Sequence, residues 1–261
     1  MQWVSLFYEI MQEAFLLPLF FFIGAVINDK EELENRLKTG LLFTFLIYIV
    51  LTVFIIAAAR PLTILMAQDK SIINETVNYI RLESTANIIN ILFKFILVAL
   101  ITIKKDKNIY IPLLIQLILI IILDIFFISN LSVSLKLGVN GIAYTNIIVS
   151  SILLITSFIL LHIEKINIWK IKKLNFKWFK SFFRISSISG LETLVRNLFF
   201  MFMIVKMVNA VGGSGDFWLT NNFIWGWLLL PILQLSEVVK ADIGRDGHKA
   251  IEKIRLDTFL L

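Results

Sequence analysis

The sequence predicts an all-α membrane protein that crosses the bilayer about seven times. Of its 261 residues, 58% are hydrophobic and 17% are charged, whereas soluble domains are about 45–50% apolar and about 25% charged. The mean hydropathy is +0.85, and the charged residues cluster between long apolar runs. A run of roughly 20 apolar residues is long enough to cross the hydrocarbon core as a helix.

Runs of this length occur throughout the chain and define the predicted spans. Their approximate bounds are 3–26, 39–59, 79–103, 109–129, 139–161, 182–211 and 217–239. We expect Arg60-Pro61 to end the second helix, because a residue that precedes proline disfavours the α region. The sequence contains no Cys, so it forms neither a disulfide nor a thiolate metal site.

The loops predict the orientation in the membrane. Most Lys and Arg residues outside the spans lie in the segments 27–38, 104–108, 162–184 and 240–255. Basic loops remain on the cytoplasmic side and contact anionic lipid. We therefore expect these loops in the cytoplasm of a bacterial cell whose plasma membrane holds the protein. The net charge of +6 follows from this topology and does not indicate nucleic-acid binding.

The two ends of the chain indicate a fragment of a longer protein. The predicted topology places the N-terminus outside, with a span that begins almost at Met1, and the final apolar run LDTFLL is too short to cross a membrane. We expect one missing helix in front and several behind. The segments 27–37 and 244–254 also resemble each other, and each follows a Pro-bearing span. Internal repeats with corresponding helix breaks are typical of secondary transporters.

Asp124 is the ionisable residue of the run 109–129. A carboxylate at that depth costs about 2.5–3.5 kcal/mol on insertion scales, so it faces the bundle interior or water and marks a function by default. It predicts a proton or Na⁺ site, to which Thr145 contributes a neutral oxygen, because hard cations prefer oxygen ligands. The alternative is a structural carboxylate that bonds to a neighbouring helix.

Other polar residues within the spans have two interpretations each. Glu192 and Arg196 are spaced i, i+4, so they either neutralise each other or bind a charged substrate group. Lys94 lies mid-span and predicts a carboxylate partner. Asn87 and Asn90 share the same helix and either line a cavity or form interhelical hydrogen bonds.

Residues near the span ends point mainly to exposure and packing. Glu9 and Glu13, near the outer end of the first run, are explained by contact with water. Trp218, Trp225 and Trp227 either line a drug pocket or form an aromatic belt. Neither HExxH nor GxSxG occurs in the sequence, so we do not predict an enzyme.

Four stretches, taken in order, resemble the multidrug and toxic compound extrusion (MATE) family of cation-coupled exporters. They are RPLTILMAQDKSIINETVNYIRL (60–82), LDIFFI (123–128) followed by LGVNGIAYTNII (137–148), FRISSISGLETLVRNLFF (183–200), and the repeated cytoplasmic Gly/Asp loop at 27–37 and 244–254. The resemblance implies that the chain spans helices two to eight of a twelve-helix, two-bundle transporter.

The resemblance also implies a division of the chain and a set of site residues. Residues 1–162 would form the amino-terminal bundle without its first helix, 163–181 a basic cytoplasmic linker, and 182–261 the start of the second bundle. Asp124 matches the fifth-helix Asp and Thr145 the sixth-helix Thr of the family's cation or proton site. Ile120 stands where the family has Asn.

The function implied is export of small organic compounds, cations in particular, in exchange for Na⁺ or H⁺, with no cofactor besides the coupling ion. A related alternative is a flippase for lipid-linked oligosaccharides, which a cavity lined by several Arg and Lys would favour. A non-transporting membrane scaffold or degenerate paralogue is the alternative from another class, favoured by Ile120 and by the truncation.

Overall fold

The computed structural model describes residues 2–103, 109–169, 174–212, 214–247 and 249, and this part of the chain contains helices and no strand. The predicted basic segment 104–108 and residues 250–255 lie outside it. The helices are α1 (Gln2–Gly24), α2 (Lys30–Leu65), α3 (Ile73–Thr102), α4 (Tyr110–Phe127), α5 (Val139–Ile163), α6 (Phe179–Phe200), α7 (Lys206–Ala210), α8 (Ser214–Phe223) and α9 (Leu230–Asp246). Single π-helical turns, Met201–Val205 and Ile224–Leu228, join α6 to α7 and follow α8.

Six helical segments are long and apolar enough to cross a membrane, and a seventh is formed if residues 215–228 and 230–244, which bend by 55°, count as one span. The predicted helical class is confirmed for the described residues. Their six or seven long apolar helices are compatible with an all-α membrane protein. The division into two bundles and the twelve-helix organisation stay predictions.

α2 is longer than predicted at both ends. It begins at Lys30 because the Asp29 carboxylate accepts a hydrogen bond from the Glu32 backbone N–H at 3.1 Å and caps the helix. At its other end the helix continues through Pro61 to Leu65, so the prediction that Arg60-Pro61 ends the helix is wrong. A proline removes one backbone donor, and membrane helices tolerate that loss.

α3 also begins earlier than predicted, at Ile73 rather than near residue 79. A 3₁₀ turn, Lys70–Ile72, leads into it and is capped by Asp69, whose carboxylate accepts hydrogen bonds from the backbone N–H and the hydroxyl of Ser71. These two hydrogen bonds hold the pKa of the Asp69 carboxyl below its usual range. The earlier start places residues 80–90 deeper in the helix than the sequence suggested.

α3 is the central helix of the fold. It packs against α1, α2, α5 and α9, whereas α4 packs chiefly against α5. Pro112 is the buried residue of α4, and the other residues of that helix are partly or fully exposed. α6 packs along α1, so the predicted start of the second bundle contacts the first helix of the chain.

The predicted linker folds back onto the first turns of α2. The Asn35 side chain makes two hydrogen bonds to the Asn175 backbone, because its amide group donates to the Asn175 carbonyl and its side-chain oxygen accepts from the Asn175 N–H, each at 3.0 Å. The Trp178 indole N–H donates to the Thr39 hydroxyl at 3.1 Å. The described part of the segment 163–181 is therefore attached to α2 by specific hydrogen bonds.

Candidate functional site

Polar side chains one turn apart follow one face of α3. Glu83, Asn87 and Asn90 are spaced i, i+4, i+7, which places them on the same face of a helix. This face lines a cavity of about 110 Å³ that α4 and α5 close from the other side. The described lining residues are Glu83, Ala86, Asn87, Asn90, Gln116, Ile120, Asn146, Val149, Ser150 and Leu153.

Glu83 accepts hydrogen bonds from three side chains of this polar group, two at its carboxylate and one at its backbone carbonyl. The Asn146 side-chain amide lies 3.0 Å from one carboxylate oxygen and 2.9 Å from the other. The Tyr79 hydroxyl donates a further hydrogen bond. Asn87 donates to the Glu83 backbone carbonyl at 3.1 Å. The hydrogen bonds to the carboxylate partly offset the cost of burying it.

The cavity carries one formal negative charge. Its described lining includes one carboxylate, four side-chain amides and the Ser150 hydroxyl, and it includes no Lys, Arg or His. A water molecule needs at least about 10–15 Å³ of such space and several polar partners. The cavity therefore has room for several water-sized species, and oxygen atoms to hold them.

Asp124 and Thr145 lie beyond the cavity, on facing helices. A Cβ built on Gly141 of α5 would lie 2.9 Å from Ile128 Cγ1 and 3.1 Å from the Phe127 carbonyl oxygen of α4. Because the two helices run antiparallel from this contact, one further turn on each brings Asp124 level with Thr145. Asp124 Oδ1 and Thr145 Oγ1 are both buried and have no hydrogen-bond partner among the described residues.

The predicted ion site of Asp124 and Thr145 therefore lies next to the cavity. Ile120, which lines the cavity, is one turn from Asp124 on α4, and Asn146, which holds Glu83, directly follows Thr145 on α5. Helix geometry, counted from the Gly141 contact, predicts that Asp124 and Thr145 lie at one level. Their role as ion ligands stays a prediction.

Glu83 was missed by the sequence reasoning, although its signal was present. It shares a helix face with Asn87, Asn90 and Lys94 at spacings of 4, 7 and 11 residues. With a span expected to begin near residue 79, Glu83 is close to water. With α3 beginning at Ile73, it lies ten residues from the helix start, or about 15 Å along the axis.

Lys94 lies on the same face of α3, further from the start of the helix, and reaches a different helix. Its ammonium group donates to the side-chain carbonyl of Gln12 on α1 at 2.9 Å. The sequence predicted a carboxylate partner, whereas this bond goes to a neutral amide. It joins α3 to α1 in the interior of the fold.

A second concave feature lies where α1, α6 and α8 meet. Arg196 donates to Glu192 at 3.2 Å and to Glu9 at 3.3 Å, so the predicted pair within α6 is present and extends to α1. The Glu9 side chain is 42% exposed and is also an ion-pair partner of Arg196. The Arg196 side chain is 54% exposed, and ion pairs so open contribute only about 0–1 kcal/mol.

Glu9 and Arg196 line a cleft of about 440 Å³. Its described lining residues are Ser5, Leu6, Glu9, Arg196, Asn197, Phe200, Trp218, Asn221 and Trp225. Of the three predicted tryptophans, Trp218 and Trp225 line the cleft, whereas Trp227 is 79% exposed and is not among its lining residues. A volume of 300–1,000 Å³ with apolar walls and a few polar groups is typical of small-molecule sites.

Comparison of the chain with protein families, with curated proteins and with solved structures found no match.

Proposed function

We propose that this chain is part of a cation-coupled transporter that exports organic cations across the plasma membrane by alternating access. The observation that carries the proposal is the cleft between α1, α6 and α8, where acidic and aromatic side chains meet.

The charges at the cleft favour a cation. Glu9 and Arg196 line the cleft, and Arg196 is shared with a second carboxylate outside the described lining, that of Glu192, so the three side chains together carry a formal charge of −1. Trp218 and Trp225 add aromatic faces to the lining, and such faces attract cations within about 6 Å of the ring centroid. An organic cation satisfies both features at once, because it brings a positive charge and an apolar body.

Two π-helical turns beside the cleft are positions at which the helices could bend. Phe200, a lining residue, immediately precedes the π-helical turn Met201–Val205, and Trp225 lies within the turn Ile224–Leu228. Such turns interrupt the regular hydrogen-bond ladder and are frequent at functional sites and helix bends. Rocking of one bundle against the other at these turns would expose the cleft to each side in alternation.

The flippase alternative is supported less by this cleft. Recognition of a lipid-linked pyrophosphate calls for several basic side chains, and the described lining contains Arg196 together with the carboxylate of Glu9. The scaffold alternative predicts no cation-dependent efflux, which the transport experiment below measures directly.

Substitution Glu9→Gln is expected to weaken binding of the fluorescent organic cation ethidium to the purified chain about tenfold. Removing the Glu9 carboxylate cancels the net negative charge of the cluster formed by Glu9, Arg196 and Glu192, and a tenfold change corresponds to about 1.4 kcal/mol. Fluorescence anisotropy titration measures the affinity. Glu13→Gln, the same change one turn along α1 and outside the described lining, is the matched control. Equal affinity in both variants would contradict the proposed site.

Substitution Asp124→Asn is expected to abolish cation-coupled efflux in cells that express the gene at its full length, while the protein still inserts into the membrane. The change removes the ionisable group but keeps the shape of the side chain. Efflux of ethidium under imposed Na⁺ or proton gradients provides the readout. Unimpaired efflux in this variant would exclude Asp124 from ion coupling, and efflux that no gradient stimulates in the unmodified protein would favour the scaffold.

A further inference from the structure

We propose that the cavity between α3, α4 and α5 is a Na⁺ site, in which Glu83 is the anionic ligand. The inference deepens the proposed function, on which it rests, by assigning the coupling ion and its position. It differs from the family resemblance, which points to Asp124. It follows from the charge, the oxygen content and the position of the cavity.

The charge balance calls for a monovalent cation. Glu83 accepts hydrogen bonds from Asn146 and Tyr79, but burial disfavours an ionised carboxylate that has no compensating charge beside it. An ionised carboxylate inside a membrane needs a compensating positive charge. The described lining of the cavity supplies no basic side chain, so a bound ion of charge +1 completes the balance.

The ligand chemistry favours a hard cation. Asn87, Asn90, Gln116 and Ser150 bring neutral amide and hydroxyl oxygens to the lining beside the carboxylate, and such oxygens are the ligands that hard cations prefer. Within the described part of the chain, no group of three or more His, Cys, Asp or Glu residues could hold a metal ion. One carboxylate among neutral oxygens matches the charge of Na⁺ better than that of Ca²⁺ or Mg²⁺.

The position of Glu83 suits an ion that controls the conformation of the bundle. α3 packs against α1, α2, α5 and α9, whereas α4, which carries Asp124, packs chiefly against α5. A cation that binds or leaves at Glu83 therefore changes the charge at the centre of the helix packing. An ion bound only at Asp124 acts at the periphery.

Contacts also join this cavity to the organic-cation cleft. Lys94, on the Glu83 face of α3, bonds to Gln12 of α1. Gln12 is three residues from Glu9, so the two share one face of α1. A shift of α3 on ion binding is thus transmitted to the helix that carries the acidic side chain of the cleft.

The test is binding of ²²Na⁺ to the purified chain in detergent, measured by scintillation proximity without any organic substrate. We expect saturable binding in the unmodified protein, at least tenfold weaker binding in Glu83→Gln, and unchanged binding in Glu75→Gln. Glu75 is the matched control because it is an exposed glutamate in the first turn of the same helix. An excess of unlabelled Na⁺ is expected to displace the label.

Three outcomes would overturn the inference. The first is the absence of saturable ²²Na⁺ binding in folded unmodified protein. In that case, a Glu83 carboxyl band that titrates in infrared difference spectra would indicate a proton site. The second is full binding in Glu83→Gln. The third is a loss confined to Asp124→Asn, which places the ion on α4.

Two further measurements keep the result interpretable. If Glu83→Gln does not elute as a folded monodisperse species, Asn87→Ala and Ser150→Ala replace it, and each is expected to weaken ²²Na⁺ binding several-fold. Unchanged binding in both overturns the inference. Because no substrate is present, ²²Na⁺ binding without ethidium binding would support the ion site and contradict the proposed function, whereas the reverse result would contradict the ion site alone.

Discussion

Replacing Trp178 by Ala is expected to lower the free energy of unfolding by about 3–5 kcal/mol, the usual loss for truncation of a large buried aromatic residue. The Trp178 side chain is buried against Phe22, Phe179 and Phe182, with ring centroids 4.5–5.7 Å away. Its indole N–H donates to Thr39. The truncation therefore leaves a cavity and removes a hydrogen bond that attaches the linker to α2.

Trp169→Ala is the matched control for this prediction, because Trp169 lies in the same linker and is 76% exposed. We expect it to change stability by at most about 0.5 kcal/mol, as most surface substitutions do. The loss of unfolding free energy for Trp178→Phe should lie between those of the two Ala variants, since Phe keeps most of the ring packing and loses a hydrogen bond worth about 1 kcal/mol. Unfolding in mixed micelles with increasing SDS measures all three. Equal stability of the two Ala variants would show that the linker is not anchored by Trp178.

Replacing Gly244 by Ala is expected to cost about 1–3 kcal/mol, the range for overpacking a close contact. A Cβ on Gly244 would lie 2.5 Å from the Phe20 carbonyl oxygen and 2.7 Å from its carbonyl carbon. These are backbone atoms of α1, so no side-chain rotation relieves the overlap, and α9 must move away from α1. The same unfolding measurement applies to this variant.

Gly226→Ala provides the contrast for Gly244→Ala. A Cβ at Gly226 meets no atom within 4 Å, and Ala is favoured over Gly inside a helix by up to about 1 kcal/mol. We therefore expect a neutral or slightly stabilising effect there. A loss of stability at Gly226 equal to the loss at Gly244 would show that close packing of α9 on α1 does not account for the result.

The helical class followed directly from composition, but the helix ends did not. Apolar runs identify segments that suit a membrane whatever their neighbours, because the bilayer core acts on each residue separately. Ends depend on local capping, so the Asp29 cap extended α2 to Lys30 beyond the apolar run. At Pro61 the local preference predicted a helix end, but the helix continues through this residue to Leu65.

The candidate sites divide in the same way. The spacing of Glu192 and Arg196 within one helix was sufficient to predict their ion pair, whereas the contact of Arg196 with Glu9 joins residues 187 positions apart. Asp124 was conspicuous because it lies alone in an apolar run. Glu83 was not, because its significance depends on Asn146, which a different helix brings within 3.0 Å.

The sequence by itself determined that the described chain is helical and apolar enough for a membrane, and which intramembrane residues carry charge. These properties are sums over neighbouring residues, so they require no knowledge of the packing. The tertiary structure alone decided which charges face one another and where space remains between helices. A cavity around Glu83 exists only because α3, α4 and α5 leave a gap that their polar side chains line, and that is a property of packing between segments distant in the chain.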